Sequence, residues 1–264
     1  MERITSRENR RLVAARAVRD GRAPEQIFIE GKRLVQEAVR SNVDIDECFV
    51  SEGLRDQTVF DSIAGRTTSI AALPERIFRS IADTKEPQGV IAIARRPKTG
   101  PEMITFTDEK LPLIVFLDEI NNPANLGAIL RTAEAAGVAG VIISRGSADA
   151  FSPKALRGAM GSSFRVPVWD NADYGEVLDW ARAGGLAVCA AAADSAASYA
   201  SMDWKKPKLL ILGSEAHGLS EQQLKDVDET LAIPMAENVE SLNLAVAAGI
   251  ILFEARRQNL NDLR

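Results

Sequence analysis

Five nearly unbroken apolar runs in the second half of the chain leave few folds open: Leu113–Leu117, Val138–Ser144, Leu186–Ala191, Lys208–Leu212 and Thr230–Ile233. A strand with one face in water alternates apolar and polar side chains. A strand that does not alternate is covered on both faces, as parallel strands between two helical layers are. Segments of helical periodicity separate the runs, at Leu126–Ala136, Pro153–Met160, Tyr174–Ala183 and Leu242–Gln258. The alanine-rich stretch Ala190–Ala200 reads as a loop leading into Trp204. Strands and helices in this order predict an α/β domain built on a parallel sheet.

The first half reads as a smaller α/β domain. A helix with a basic outer face is expected over Arg7–Val18, ended by Gly21 and Pro24. Strand and helix then alternate: Gln26–Glu30 with Lys32–Arg40, Glu47–Ser51 with Leu54–Ala64, Thr67–Ala71 with Pro74–Ala82, and Val90–Ala94 as a closing strand. From Arg95 to Pro112 prolines, a glycine and charges occur without sustained periodicity. The expected division is therefore residues 1–96, a linker over 97–111, and residues 112–264.

Composition removes several classes of function. No apolar stretch approaches the roughly 20 residues that cross a bilayer, and the start MERITSRENRR has no apolar core of the kind a secretory signal needs. No membrane partner and a cytoplasmic location are expected. Cys48 and Cys189 lie far apart with no nearby metal-binding partner, so no metal is expected and buried free thiols are. A serine-histidine-aspartate arrangement could use only His217, the single histidine, and no G-x-S-x-G turn exists. His217 reads instead as a loop or ligand-lining residue. The chain also lacks G-x-G-x-x-G and the phosphate-binding P-loop sequence. The net charge of −5 argues against nucleic acid. Its distribution argues the other way, because Arg3, Arg7, Arg10, Arg11, Arg16, Arg19, Arg22, Lys32, Arg33 and Arg40 crowd the first forty residues.

In an open parallel sheet, ligands bind beyond the carboxyl ends of the strands. Three such places are unusual. After Leu113–Leu117, a run of Asp, Asn and Pro precedes a helix expected to begin near Asn125, with Arg131 about one turn in. Helix amides and a guanidinium there would form an anion site. After Lys208–Leu212 come Gly213, Glu215, His217 and Gly218. After Thr230–Ile233 a polar loop leads to Ser241 and Asn243, with Ser241 reading as the cap of the last helix. Taken singly, each is as readily structural: Asn125 a cap, Arg131 a surface residue.

Together, their order and spacing resemble the SpoU/TrmH family of RNA ribose methyltransferases, of the SPOUT class. The likeness runs from Leu113 to Arg257. It is carried by Asn125, Gly127, Arg131 and Thr132; by Leu212, Gly213, Glu215, Gly218 and Leu219; and by Ile233, Pro234, Met235, Ser241, Leu242 and Asn243. The first half resembles, less closely, the ribosomal-protein-like RNA-binding domain of many members, through ITSRENRR, FIEGKRLVQEA and TKEPQGVIAIA. Two positions depart from the family pattern: Ala216 and Glu237 stand where glycine is common.

The resemblance implies a methyl transfer from S-adenosylmethionine to a ribose 2'-hydroxyl of a structured RNA, ribosomal RNA in preference to transfer RNA. It implies Arg131, Asn125, Glu215, Ser241 and Asn243 as catalytic residues. Leu212, Gly213, Gly218, Ile233, Met235 and Leu242 would hold the cofactor, and Arg7, Asn9, Arg10, Lys32 and Arg33 the RNA. It further implies a C-terminal trefoil knot, an exception to the usual absence of knots, and a homodimer in which Arg131 acts on cofactor bound by the partner. The alternatives are a transfer-RNA 2'-O-methyltransferase, or a catalytically weak RNA-binding or ribosome-assembly factor of the same fold.

Overall fold

The computed structural model describes residues 1–67, 69–106, 111–237 and 239–260. The chain forms two compact units, Met1–Pro97 with Phe151–Arg165, and Lys98–Ala150 with Val166–Arg264.

In the first unit the elements are β1 (Glu2–Arg3), α1 (Arg10–Arg19), β2 (Gln26–Glu30), α2 (Lys32–Arg40), β3 (Ile45–Ser51), α3 (Gln57–Ala64), β4 (Ile70–Leu73), α4 (Glu75–Ile81) and β5 (Val90–Arg95). The strands form one sheet in the order β1-β4-β3-β5-β2. The sheet is mixed, because β5 runs antiparallel to both β2 and β3. Leu12, Ala15 and Val18 of α1 pack with Phe28, Phe49, Phe78 and Ile91 in a fully buried core. The strand expected over Thr67–Ala71 begins at Ile70 and runs to Leu73, leaving out Thr67 and Ser69; Thr68 lies outside the described residues.

The chain continues with β6 (Leu111–Leu117), α5 (Pro123–Ala136), β7 (Val138–Ser144), α6 (Pro153–Ala159), β8 (Val168–Ala172), α7 (Tyr174–Ala183), β9 (Ala187–Ala191), β10 (Lys208–Leu212), α8 (Glu221–Lys225), β11 (Glu229–Leu231) and α9 (Leu244–Asn259), all of the second unit except α6. By its packing, α6 belongs to the first unit, where Arg165 pairs with Glu37 at 2.8 Å and Arg157 with Asp83 at 2.7 Å. The sheet, β11-β9-β10-β6-β7-β8, is parallel throughout, as the unbroken apolar runs require. Phe116, Ile142, Val188 and Ile211 of this sheet pack with Val177, Leu178 and Ala181 of α7. On α5 and α9, Leu126, Ile129, Leu130, Ile251, Leu252 and Ala255 are buried.

Part of the stretch read as a linker is packed. Ile104 lies 2.8 Å from where a Cβ on Gly140 would stand, and Thr99 donates to Asp170 at 2.5 Å. Residues 107–110 of that stretch lie outside the described residues. β8 was not expected from the sequence: VWDNA is short and polar, and Asn171 takes a left-handed φ of 52°.

Candidate active site

The chain runs from β6 outward to β7 and β8, then crosses to the other side of β6, where it forms β9, then β10 between β9 and β6, and last β11 at the outer edge. The order therefore reverses between β6 and β10, and a crevice opens at such a switch point beyond the carboxyl ends of the strands. A cleft of ≈ 830 Å³ lies there, within the roughly 300–1,000 Å³ typical of small-ligand sites. It is lined by turns following β9, β10 and β11, by Asn125, and by the first part of α9.

Of the expected site residues, Asn125, Leu212, Gly213, Glu215, Gly218, Ile233, Met235, Ser241, Leu242 and Asn243 all line this cleft. One side-chain amide joins the three segments. Asn125 Nδ2 donates to Glu215 Oε1 at 3.0 Å, and Asn125 Oδ1 accepts from Asn243 Nδ2 at 3.2 Å. The second oxygen of Glu215 accepts from the backbone N–H of Asn121 at 3.3 Å. Gly213 is forced by proximity: a Cβ there would stand 2.6 Å from the carbonyl carbon of Gly218 and 2.8 Å from the nitrogen of Leu219. Gly218, with φ of 65°, turns the chain back in a conformation that side chains resist.

Both expected helix caps are corrected. The cap of α5 is Asn122, whose side chain accepts from Ala124 N–H, followed by Pro123 at the first helical position; Asn125 is thus inside the helix. The cap of α9 is Asn243, whose Oδ1 accepts from Ala245 and Val246 at 3.0 and 3.4 Å, while Ser241 remains in the loop. Arg131 moves with the first correction. It is the ninth residue of α5, more than two turns in, on an exposed face, and it does not line its own chain's cleft. The expected anion site of helix amides plus guanidinium is therefore not formed at this helix end.

The loop expected within Ala190–Ala200 forms after β9, but sequence reasoning missed that Ala191, Ala192, Ala193 and Asp194 line the cleft, and it missed the supports beneath the motif turns. Glu119 sits in the left-handed region at φ of 55° and is held by a 2.8 Å bond from its N–H to Ser144 Oγ; Ile120 N–H donates to Ser147 Oγ. Asp118, nearly buried, accepts from Gln223 Nε2 at 2.6 Å, and Gln223 also completes the capping box of α8 with Ser220. The spacing Ser220 to Gln223 was a legible signal for that helix. Tyr174 packs on Phe116 with ring centroids 5.7 Å apart, and its hydroxyl faces the Gln223 carbonyl at 3.5 Å. Burial, helped by the charge of Asp118, pushes its phenol up to about 12.

Neither family departure disturbs the cleft. Ala216 is not among the residues with positive φ, so alanine fits that turn without strain, and Glu237 is exposed and does not line the cleft.

In the first unit, six of the ten basic residues crowded into the first forty are paired with acids: Arg3, Arg11, Arg19, Arg22, Lys32 and Arg40. Arg7, Arg10 and Arg33 are exposed and have no acidic partner among the described residues. Asn9 is the cap of α1, accepting from Arg11 N–H at 2.9 Å. Lys32, 3.3 Å from Asp56, lines a second cavity of ≈ 750 Å³ with Gly53–Asp56 and Pro87–Gly89.

The sequence matches the SpoU rRNA Methylase family over residues 112–253, and the RNA 2'-O ribose methyltransferase substrate binding family over residues 28–100. The 23S rRNA (guanosine(2553)-2'-O)-methyltransferase of Bacillus subtilis is 33% identical over 232 residues, covering 87% of this chain and 88% of that protein. An AdoMet-bound rRNA methyltransferase from Sinorhizobium meliloti superposes with a TM-score of 0.85 at 30% identity, covering 97% of both chains. The SpoU methyltransferase AviRb of Streptomyces viridochromogenes, in complex with AdoMet, gives 0.86 at 27% identity over 96% of this chain and 99% of that one. With a match over more than half its length and three motif segments gathered at one cleft, the chain belongs to the SpoU rRNA methylase family.

Proposed function

We propose that the protein transfers a methyl group from S-adenosylmethionine to a ribose 2'-hydroxyl of ribosomal RNA, as a cytoplasmic homodimer. The observation that carries this reading is the Asn125 amide, which ties Glu215 and Asn243 together at the mouth of a single cleft. The ribosomal substrate is favoured over transfer RNA by the Bacillus subtilis relative and by a first unit that matches a substrate-binding family.

The cleft suits the cofactor. Leu212, Ile233, Met235 and Leu242 offer apolar surface for an adenine, and the closeness of Gly213 to Gly218 leaves backbone groups where a side chain would otherwise stand. When bound, S-adenosylmethionine supplies an electrophilic methyl carbon on a sulfonium. The family threading of the Gly213–Leu219 and Ile233–Asn243 segments into a trefoil knot would hold these turns rigidly.

Arg131 stands outside the cleft of its own chain, so its role requires a second chain. Support for a dimer comes from α9 and its C-terminal cap, where Val246, Phe253 and the capping Leu260 recur every seven residues and are each 44–50% exposed. This apolar stripe would pair with its copy, and Arg131 would serve the partner's cleft. A guanidinium stays protonated at any pH the enzyme meets, so it is not the base. Its fork would hold the phosphate beside the target ribose and stabilise the alkoxide as it forms. Asn125, Glu215, Ser241 and Asn243 shape the site. In the first unit, Arg7, Arg10 and Arg33, with Lys32 at the rim of its cavity and Asn9 fixing the start of α1, would hold the RNA backbone.

The test is transfer of a labelled methyl group from S-adenosylmethionine to ribosomal RNA by the purified protein, followed by mapping of the modified ribose. Arg131→Lys keeps the charge and loses the fork, and should lower turnover about 100-fold, the scale of one lost transition-state contact. Near-full turnover in that variant ends the account of Arg131. Absence of saturable S-adenosylmethionine binding favours the assembly-factor alternative. Sedimentation as a monomer at micromolar concentration removes the partner-site role.

A further inference from the structure

The cleft has a charge pattern that its motif residues do not explain. Asp194, Glu215, Glu221 and Glu240 line it, and among the described residues of this chain no lysine or arginine does. Two of the carboxylates are accounted for. Glu215 is bound to Asn121 and Asn125, and Glu221 lies in the first turn of α8, where helix amides favour an acid. Asp194 and Glu240 are different: they come from separate turns, after β9 and after β11, and neither has a hydrogen-bond or ion-pair partner among the described residues.

We propose that Asp194 and Glu240 make the cleft discriminate by charge between S-adenosylmethionine and S-adenosylhomocysteine. The inference rests on reading the cleft as the cofactor site. S-adenosylmethionine carries a sulfonium and an ammonium against one carboxylate, a net single positive charge. In the transfer the S–CH3 bond breaks with its electron pair staying on sulfur, an O–CH3 bond forms, and the hydroxyl proton passes to water. The product left in the cleft is neutral. Two unpaired carboxylates in a cleft to which the same chain brings no cation attract the first ligand more than the second, and a guanidinium from a partner chain, present with either ligand, does not cancel that difference; the spent cofactor is therefore held less tightly than the fresh one. Both side chains are exposed, so the attraction is screened by solvent and salt. An effect of about fivefold on the ratio of the two affinities is the expected scale for such charges.

The experiment is isothermal titration of the full-length protein with S-adenosylmethionine, S-adenosylhomocysteine and sinefungin, an unreactive analogue with an amine at the position of the sulfonium methyl. Wild type is compared with Asp194→Asn, Glu240→Gln and the double variant, each checked for native circular dichroism. In the double variant the ratio of S-adenosylmethionine to S-adenosylhomocysteine affinity should fall about fivefold, with sinefungin weakened alongside S-adenosylmethionine. S-adenosylhomocysteine should stay within about twofold. The single variants should show partial shifts, and raising the salt from about 50 mM to about 300 mM should narrow the wild-type ratio. An unchanged ratio in the double variant, or equal weakening of all three ligands, overturns the proposal while leaving the cleft a cofactor site. Failure of wild type to bind any of the three overturns both readings.

Discussion

The side-chain amide of Asn125 has a donor end and an acceptor end, and the structure uses both, one toward Glu215 and one toward Asn243. Asn125→Asp removes the donor and sets a second carboxylate about 3 Å from the first, an arrangement that two ionised groups do not tolerate. Turnover should fall about 100-fold at pH 8 and less at pH 6, where a shared proton restores the hydrogen bond. Equal loss at both pH values would show that the bond to Glu215 is not what matters. The residue types were legible because Asn, Glu and Asn follow strand ends at family spacing. The bonds among them were not, since Asn125 and Glu215 are 90 positions apart and Asn125 and Asn243 are 118. Arg131 shows the converse. Its identity stood out, but its place depended on which asparagine caps α5, and a local reading cannot choose between Asn122 and Asn125 when both precede the apolar face.

Elements with an unambiguous pattern were read to the residue: β2, α2, β7, α7 and β10 match their expected bounds. Long apolar runs and capped amphipathic segments specify themselves. β1, β8 and α8 did not, being two, five and five residues long with little apolar periodicity. α8 matters to the site all the same. Its Gln223 donates to the nearly buried Asp118 at the end of β6 and closes the capping box with Ser220. Gln223→Leu would strand a buried carboxylate and undo the box. The expected cost is about 2–4 kcal/mol, read as a lower denaturation midpoint, with a raised KM for S-adenosylmethionine because the Gly213–Leu219 turn leads into α8. A variant as stable as wild type would mean that Asp118 finds another donor.

At the scale of the whole molecule, both cysteines and Tyr174 couple folding to alkaline pH. Burial pushes Cys48, Cys189 and Tyr174 each up to about 12 from ordinary values of 9.0, 9.0 and 10.0. A group whose pKa is raised by folding contributes its stability in full below the unfolded value and loses it as pH climbs to the folded one. Stability should thus hold to pH 9 and fall steadily towards pH 12, as measured by denaturant midpoints, and Cys48→Ala with Cys189→Ala should flatten the slope. Thiol reagents should leave the native protein unmodified at neutral pH; rapid modification would show that the thiols are reachable. The sequence by itself determined two α/β halves, a parallel sheet in the second, and the three segments that would form a site, because hydrophobic period and strand-end chemistry are local properties. Only the tertiary structure decided the rest: the reversal between β6 and β10 that opens the cleft, the assignment of Phe151–Arg165 to the first unit, and the exposure of Arg131 away from its own cleft. Those depend on which distant segments share space, and that is fixed by burial and packing over the whole chain, not by any window of it.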